Sequence, residues 1–229
     1  MQWHNYTNED DLNSHCAKHL VELLHAAVNQ RGEAFAIISG GKTPLGLFQQ
    51  LAKTPFAWNK VTFCLADERC VPLKDSARNE NLVREHLLQA HAKTAKLISL
   101  YDENLSVLAN LEHLEPQIAQ LPEFDLVLLG MGEDGHTASL FPCAEELIQG
   151  LAEDAPAVLL VNPKSAPYQR ISLSKARLLR SRHLFLHLLG AKKQSILHQA
   201  IALNDPLRMP ICAFLNQHTQ PLQVMYAPS

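Results

Sequence analysis

Short apolar runs alternate with longer stretches of helical periodicity through most of this chain, and that alternation restricts its fold more than any other feature. Residues 34–38, 61–65, 126–129, 157–161 and 183–189 read as buried strands. Apolar residues recur at helical spacing over residues 9–30, 45–52, 79–89, 105–121 and 194–203. In the first helix the stripe is Leu12, Cys16, Leu20, Leu23, Leu24, Ala27 and Val28; Asn8 or Asp10 is placed to cap it and Gly32 to end it. Residues 95–100, 170–173, 211–215 and 222–226 add further strands. Short helices are expected at residues 145–151 and after Ser174, and residues 162–168, with two prolines, form a loop. The pattern predicts a mainly parallel α/β sheet covered on both faces. With 229 residues, no repeat and no convincing linker, one domain spanning 1–229 is expected.

Composition removes several function classes. The chain is 47% apolar and 19% charged, with a net charge of −3 and no long basic run. A general nucleic-acid surface is not expected, although a local basic pocket stays open. No apolar stretch reaches the length of a membrane span. The start, MQWHNYTNEDD, is too polar and acidic for a secretory signal. Cys16, Cys64, Cys70, Cys143 and Cys212 are scattered and make no C-x-x-C, which predicts free thiols in a reducing cytoplasm. No H-E-x-x-H motif or Cys/His cluster is present, so neither a metal nor a cofactor is expected.

Three segments carry candidate chemistry. The strand at 126–129 breaks into a turn with Gly130, Gly132 and Gly135, holding Asp134 and His136. A histidine beside a turn that a ligand can approach closely is a candidate proton-transfer group. The same turn spells G-x-G-x-x-G with an acidic residue about 20 positions on, as a dinucleotide fingerprint would. Its mid-chain position, its acidic variable residues and Pro142, which limits a following helix, count against that reading. The second segment, Ser39-Gly40-Gly41-Lys42-Thr43-Pro44, joins a strand to a helix, with Thr43 as expected cap and Pro44 as first helical residue. It forms an expected anion site, through free backbone N–H groups, the helix dipole, Lys42 and the hydroxyls. A nucleotide P-loop is not expected, because the earlier glycine falls at Ala36. The third, Asp67-Glu68-Arg69, puts three charges at a strand's carboxyl end, where open α/β sheets place function; a solvated loop is the alternative on charge alone. Lys193, near a helix start, could reach an anion. His15, His19 and His25 read as surface residues, and His183 and His187 as packed or edge residues of a strand.

These motifs together resemble the glucosamine-6-phosphate isomerase/6-phosphogluconolactonase family. Ser39 to Pro44 resembles its S-G-G-x-T-P loop, and Asp67 to Pro72 its D-E-R-x-V-P motif. Leu129 to Pro142, LGMGEDGHTASLFP, resembles its longest signature. Arg170-Ile-Ser-Leu and Gly190-Ala-Lys-Lys193 resemble two later motifs. The deaminase branch typically reads H-I-[AG]-F-N-E-P and D-E-Y where this chain has His136-Thr-Ala-Ser-Leu-Phe-Pro and Asp67-Glu-Arg, which favours the lactonase branch. The chain departs from the usual D-H-x-x-S-N after the second motif. Asp75 stands for the histidine and Arg78 for the serine, while Asn79 matches.

The resemblance implies a Rossmann-like three-layer sandwich. It also implies hydrolysis of 6-phospho-D-glucono-1,5-lactone to 6-phospho-D-gluconate, the second step of the oxidative pentose phosphate pathway, without metal. His136 would move the proton, with Asp134 orienting it or raising its basicity. Arg69 or backbone N–H groups of the glycine turn would receive the oxyanion. Residues 39–43, with Arg170 and Lys193, would cradle the phosphate. Asp67, Asn79 and Gly132 would complete the substrate contacts. Covalent catalysis through Ser139 is the weaker route, since no G-x-S-x-G elbow surrounds it. An amino-sugar-phosphate isomerase or deaminase, with Asp67 as enolising base, and a non-catalytic sugar-phosphate sensor are the alternatives.

Overall fold

The computed structural model describes residues 1–215, 217 and 220–229. In chain order the elements are β1 (Gln2–Asn5), α1 (Glu9–Arg31), β2 (Ala34–Ile38), α2 (Leu45–Lys53), β3 (Val61–Leu65) and β4 (Asp67–Arg69). Next come α3 (Asn79–His86), β5 (Lys96–Ile98), α4 (Val107–Gln120), β6 (Leu126–Leu129), α5 (Leu147–Leu151) and β7 (Val158–Val161). The last are β8 (Arg170–Leu173), α6 (Lys175–Leu179), β9 (Leu184–Leu189), α7 (Ala191–Leu203), α8 (Cys212–Leu215) and β10 (Leu222–Ala227).

Seven strands form one sheet in the order β1-β10-β9-β6-β2-β3-β5, and every pairing in it is parallel. Helices flank the sheet, giving the expected α/β sandwich. The four residues of β6, and nearly all of its neighbours β2 and β9, are buried, as strands covered on both faces require. Helix α1 begins where Asn8 accepts the Asp11 N–H at 2.9 Å and ends at Gly32, whose φ of 82° only glycine adopts cheaply.

The order of strands places the site. From β2 the chain builds outward to β3 and β5, then returns to lay β6 on the other side of β2. The carboxyl ends of β2 and β6 therefore diverge at a switch point, where the two following loops leave a crevice. The loops touch there: the Gly130 N–H donates to Ser39 Oγ at 3.2 Å.

Three expectations need correction, and one strand goes beyond them. Residues 67–69 are not loop but β4, the edge of a separate three-stranded antiparallel sheet, β4-β8-β7. Local sequence hides it because its partner strand, β8, lies about a hundred residues on. Residues 211–215 form the short helix α8 rather than a strand; Cys212 Sγ donates back to Ala200 O on α7, and so short an apolar run carries no decisive period. Residues 2–5, where no strand is expected from sequence, form edge strand β1 on β10. Thr43 does not cap α2: the helix opens one residue later, with Pro44 at the cap position and no side-chain capping bond.

Candidate active site

A cavity of about 150 Å³ opens at the switch point. Ser39, Gly40 and Gly41 line it from the β2 loop, Gly130, Met131, Gly132, His136, Thr137 and Ala138 from the β6 loop, and Asp67, Arg69, Asn79 and Arg170 from the small sheet and α3. Strand alternation explains the last group. Asp67 and Arg69 point one way from β4 and meet Ser172 and Arg170 in register across β8, while Glu68 points the other way.

The glycine turn is built to hold His136. The Gly132 N–H donates to His136 O at 2.8 Å, and Thr137 Oγ1 donates to Gly130 O at 2.8 Å. His136 Nδ1 lies 2.5 Å from Asp134 Oδ1, which also accepts the His136 backbone N–H at 3.1 Å. Partial burial works against the Asp134 charge, but these bonds outweigh it and hold the carboxyl below its ordinary value. An ionised Asp134 requires Nδ1 to carry the proton, which leaves Nε2 as a bare acceptor. The ring stacks on Phe141, with centroids 4.0 Å apart, and the Arg170 guanidinium lies 5.0 Å from the same ring. Buried Phe141 thus holds the His136 ring and one guanidinium together. Ala138, at a φ of 49°, is a non-glycine residue held in the left-handed region on the cavity wall.

The polar groups are incompletely paired among themselves. Arg69 donates through one terminal nitrogen to Ala77 O, but among the described residues its Nε has no partner. Arg170 Nε and Asn79 Oδ1 are also buried without partners. Arg69, Arg170 and Asn79 bring two cations and an amide to the wall of one cavity, which suits an anionic, hydroxylated ligand. Gly40 permits the close approach of Asn79: a Cβ at residue 40 would lie 2.2 Å from Asn79 Cγ.

The other expected residues sit farther out. Asp134 acts on His136 without lining the cavity. Thr43 faces a smaller cavity behind the β2 loop, and Lys42 is exposed. Lys193 Nζ donates to Met131 O at 2.6 Å, so it braces the glycine turn from behind. Burial lowers its pKa, partly offset by Glu133 and Asp134. Ser139 Oγ is buried and donates to Asp67 Oδ2 at 2.5 Å, facing away from any nucleophilic role. Met131, Thr137, Ala138 and Phe141 were not singled out from sequence, although all four lie inside the signature at 129–142. No helix follows Gly135 until α5, so the dinucleotide geometry is absent.

Arg78 does not enter the cavity. Its side chain is 3% exposed and donates to Val71 O, Glu80, Ser99 Oγ and Tyr101 O. Arg78→Met is expected to lower unfolding free energy in urea by about 3–5 kcal/mol, since Glu80 would lose a buried partner. KM should not move; a raised KM with unchanged stability would put Arg78 at the ligand.

Glu68, wholly buried, accepts the backbone N–H groups of Arg69, Asn79 and Glu80 at 2.6–2.7 Å. It thereby ties β4 to the start of α3 and sets Arg69 beside Asn79. Burial pushes its carboxyl up to about 7, against the pull of those N–H groups. Between pH 4.5 and about 7 the folded chain holds a proton that the unfolded chain has lost. This contribution to stability is therefore full below pH 4.5 and lost as pH rises through about 7. Glu68→Gln removes that dependence. Relative to wild type, the variant should gain up to about 3 kcal/mol between pH 5 and pH 8 in urea titrations. An equal difference at both pH values would contradict the assignment.

Comparison with known proteins gives the family of the chain. Residues 7–223 match the family model described as glucosamine-6-phosphate isomerases/6-phosphogluconolactonase. The chain is 36% identical to a 6-phosphogluconolactonase of Pseudomonas putida, over 98% of this chain and 92% of that one. The crystal structure of a 6-phosphogluconolactonase from Shewanella baltica superposes with a TM-score of 0.95 at 40% identity, covering 99% and 97% of the two chains. A monomeric glucosamine-6-phosphate deaminase, at 17% identity and a TM-score of 0.83 over 99% and 97%, shares the fold. The chain belongs to the glucosamine-6-phosphate isomerase/6-phosphogluconolactonase family.

Proposed function

We propose that this chain hydrolyses 6-phospho-D-glucono-1,5-lactone to 6-phospho-D-gluconate. The observation that carries the reading is His136 on the cavity wall, its Nδ1 held by Asp134 and its Nε2 left to accept a proton. Full-length likeness to lactonases supports the substrate. Nε2 takes a proton from water as the oxygen attacks C1. The carbonyl oxygen becomes an oxyanion, met by Arg69 or by backbone N–H groups of the glycine turn. When the tetrahedral intermediate collapses, the C1–ring-oxygen bond breaks and the imidazolium returns its proton to that oxygen. The phosphate, at the far end of the substrate, lies against Ser39, Gly40, Gly41 and Arg170, with the Lys193 charge behind the turn. Asn79 Oδ1 accepts from a sugar hydroxyl. No step uses a metal or a cofactor.

One large apolar cluster running from Leu12 to Ala227, beside a small one of Phe141, Ala144, Leu159 and Val161, supports one domain. No helix among the described residues is long and apolar enough to cross a membrane, and all five cysteines are free. We accordingly place the enzyme in the cytoplasm, acting on a small molecule rather than on nucleic acid. The deaminase alternative needs Asp67 as a free base, yet Asp67 already accepts from Ser139 and lies 3.7 Å from Arg170. The test offers freshly generated lactone and glucosamine 6-phosphate in parallel. The expected result is 6-phosphogluconate from the first above the spontaneous rate and no ammonia from the second; the reverse would establish the deaminase.

A further inference from the structure

His187 is a buried titratable group that the mechanism leaves unused. It lies near the carboxyl end of β9, 3% exposed, and neither ring nitrogen has a hydrogen-bond partner among the described residues. Burial pushes its pKa down to about 4, so the ring is neutral at physiological pH. A neutral imidazole carries one N–H donor and one bare acceptor, and buried groups of both kinds are normally satisfied. Alternation along β9 sends Phe185 and His187 to one face, where His19 of α1 packs edge-on against Phe185.

On that face His187 borders a second cavity of about 40 Å³, whose other walls include Ser39, Gly40, Thr43, Pro44 and Gly130. Three of these residues, Ser39, Gly40 and Gly130, also line the active-site cavity. The β2 loop is therefore the partition between the two. Ser39 Oγ accepts from the Gly130 N–H, which leaves its own proton to donate, and Thr43 brings a second hydroxyl. A water needs about 10–15 Å³ and two to four polar partners, and this cavity offers both.

We propose that the small cavity is a buried water site through which His187 positions the loop at residues 39–44. The bridge ties β9 to the loop that meets the substrate's anionic end. Its kinetic consequence rests on the proposed lactonase activity, but its structural consequence does not. His187 is a positioning residue and touches no reacting atom, so its loss weakens ground-state and transition-state binding alike.

The test pairs His187→Leu with His187→Gln, which can still hydrogen-bond a water. High-resolution crystal structures should show a water bridging a His187 nitrogen to Ser39 or Thr43 in wild type, and none in the leucine variant. With the lactone, His187→Leu should raise KM by about 2–10-fold, the worth of one net hydrogen bond, with kcat unchanged. His187→Gln should restore both the water and KM. A dry cavity in the wild-type crystal overturns the proposal whatever the kinetics. So does an unchanged KM in a leucine variant that has lost the water, or a fall in kcat that glutamine does not rescue. Should the leucine variant fail to fold, the wild-type density and the glutamine variant decide. Absence of lactone hydrolysis in wild type would count against the activity and leave the crystallographic result standing.

Discussion

His136→Ala should lower kcat for the lactone by about 10²–10⁴-fold, the range of general acid–base help from one positioned side chain. KM should change little, because binding rests on the arginines, Asn79 and the loop at residues 39–41 rather than on the imidazole. The fold should survive. His136 is partly exposed and contributes a stack on Phe141 and a bond to Asp134, neither of which holds a core element. Circular dichroism and steady-state kinetics on the same preparation separate the two effects. A raised KM with intact kcat would make His136 a binding residue.

Gly132→Ala should cost nearly as much without touching a catalytic atom. A Cβ on residue 132 would lie 2.1 Å from His136 Nδ1 and 2.7 Å from Asp134 Oδ1. Both are side-chain atoms, so the backbone need not move, and residue 132 is not among the positive-φ glycines. The methyl group therefore displaces the imidazole from its carboxylate and turns Nε2 away from the cavity. Misplacing a catalytic group by about 1 Å can cost on the order of 10²-fold. The expected result is a kcat at least about 10²-fold down with thermal stability near wild type. Wild-type kcat in Gly132→Ala would mean that the Asp134–His136 pair does not set the rate.

The parts of the fold legible in sequence are those whose burial follows from their own residues. Strands β2, β3 and β6 run over the apolar stretches at 34–38, 61–65 and 126–129, and α1 is bounded by the Asn8 side chain and by Gly32, which has none. The glycine turn after β6 was legible for the same reason, since a strand, three glycines and a histidine are all local signals. What stayed hidden depends on distant partners. The polar strand β1 exists because β10, over two hundred residues on, offers it an edge. Asp67 and Arg69 reach the cavity only because β4 pairs with β8, and Glu68 is buried only because α3 presents N–H groups to it. Phe141 looked like the tail of a motif, yet it carries both His136 and Arg170. Arg78, a departure from the usual family pattern, lies in a buried ion network outside the cavity.

The most direct measurement is lactone hydrolysis by wild type and His136→Ala side by side. Fresh 6-phosphogluconolactone is generated in situ, 6-phosphogluconate is read through its dehydrogenase, and the spontaneous rate is subtracted. The account predicts enzyme-dependent hydrolysis in wild type that collapses in the folded variant. Equal rates in the two proteins, or none above background in wild type, would contradict it.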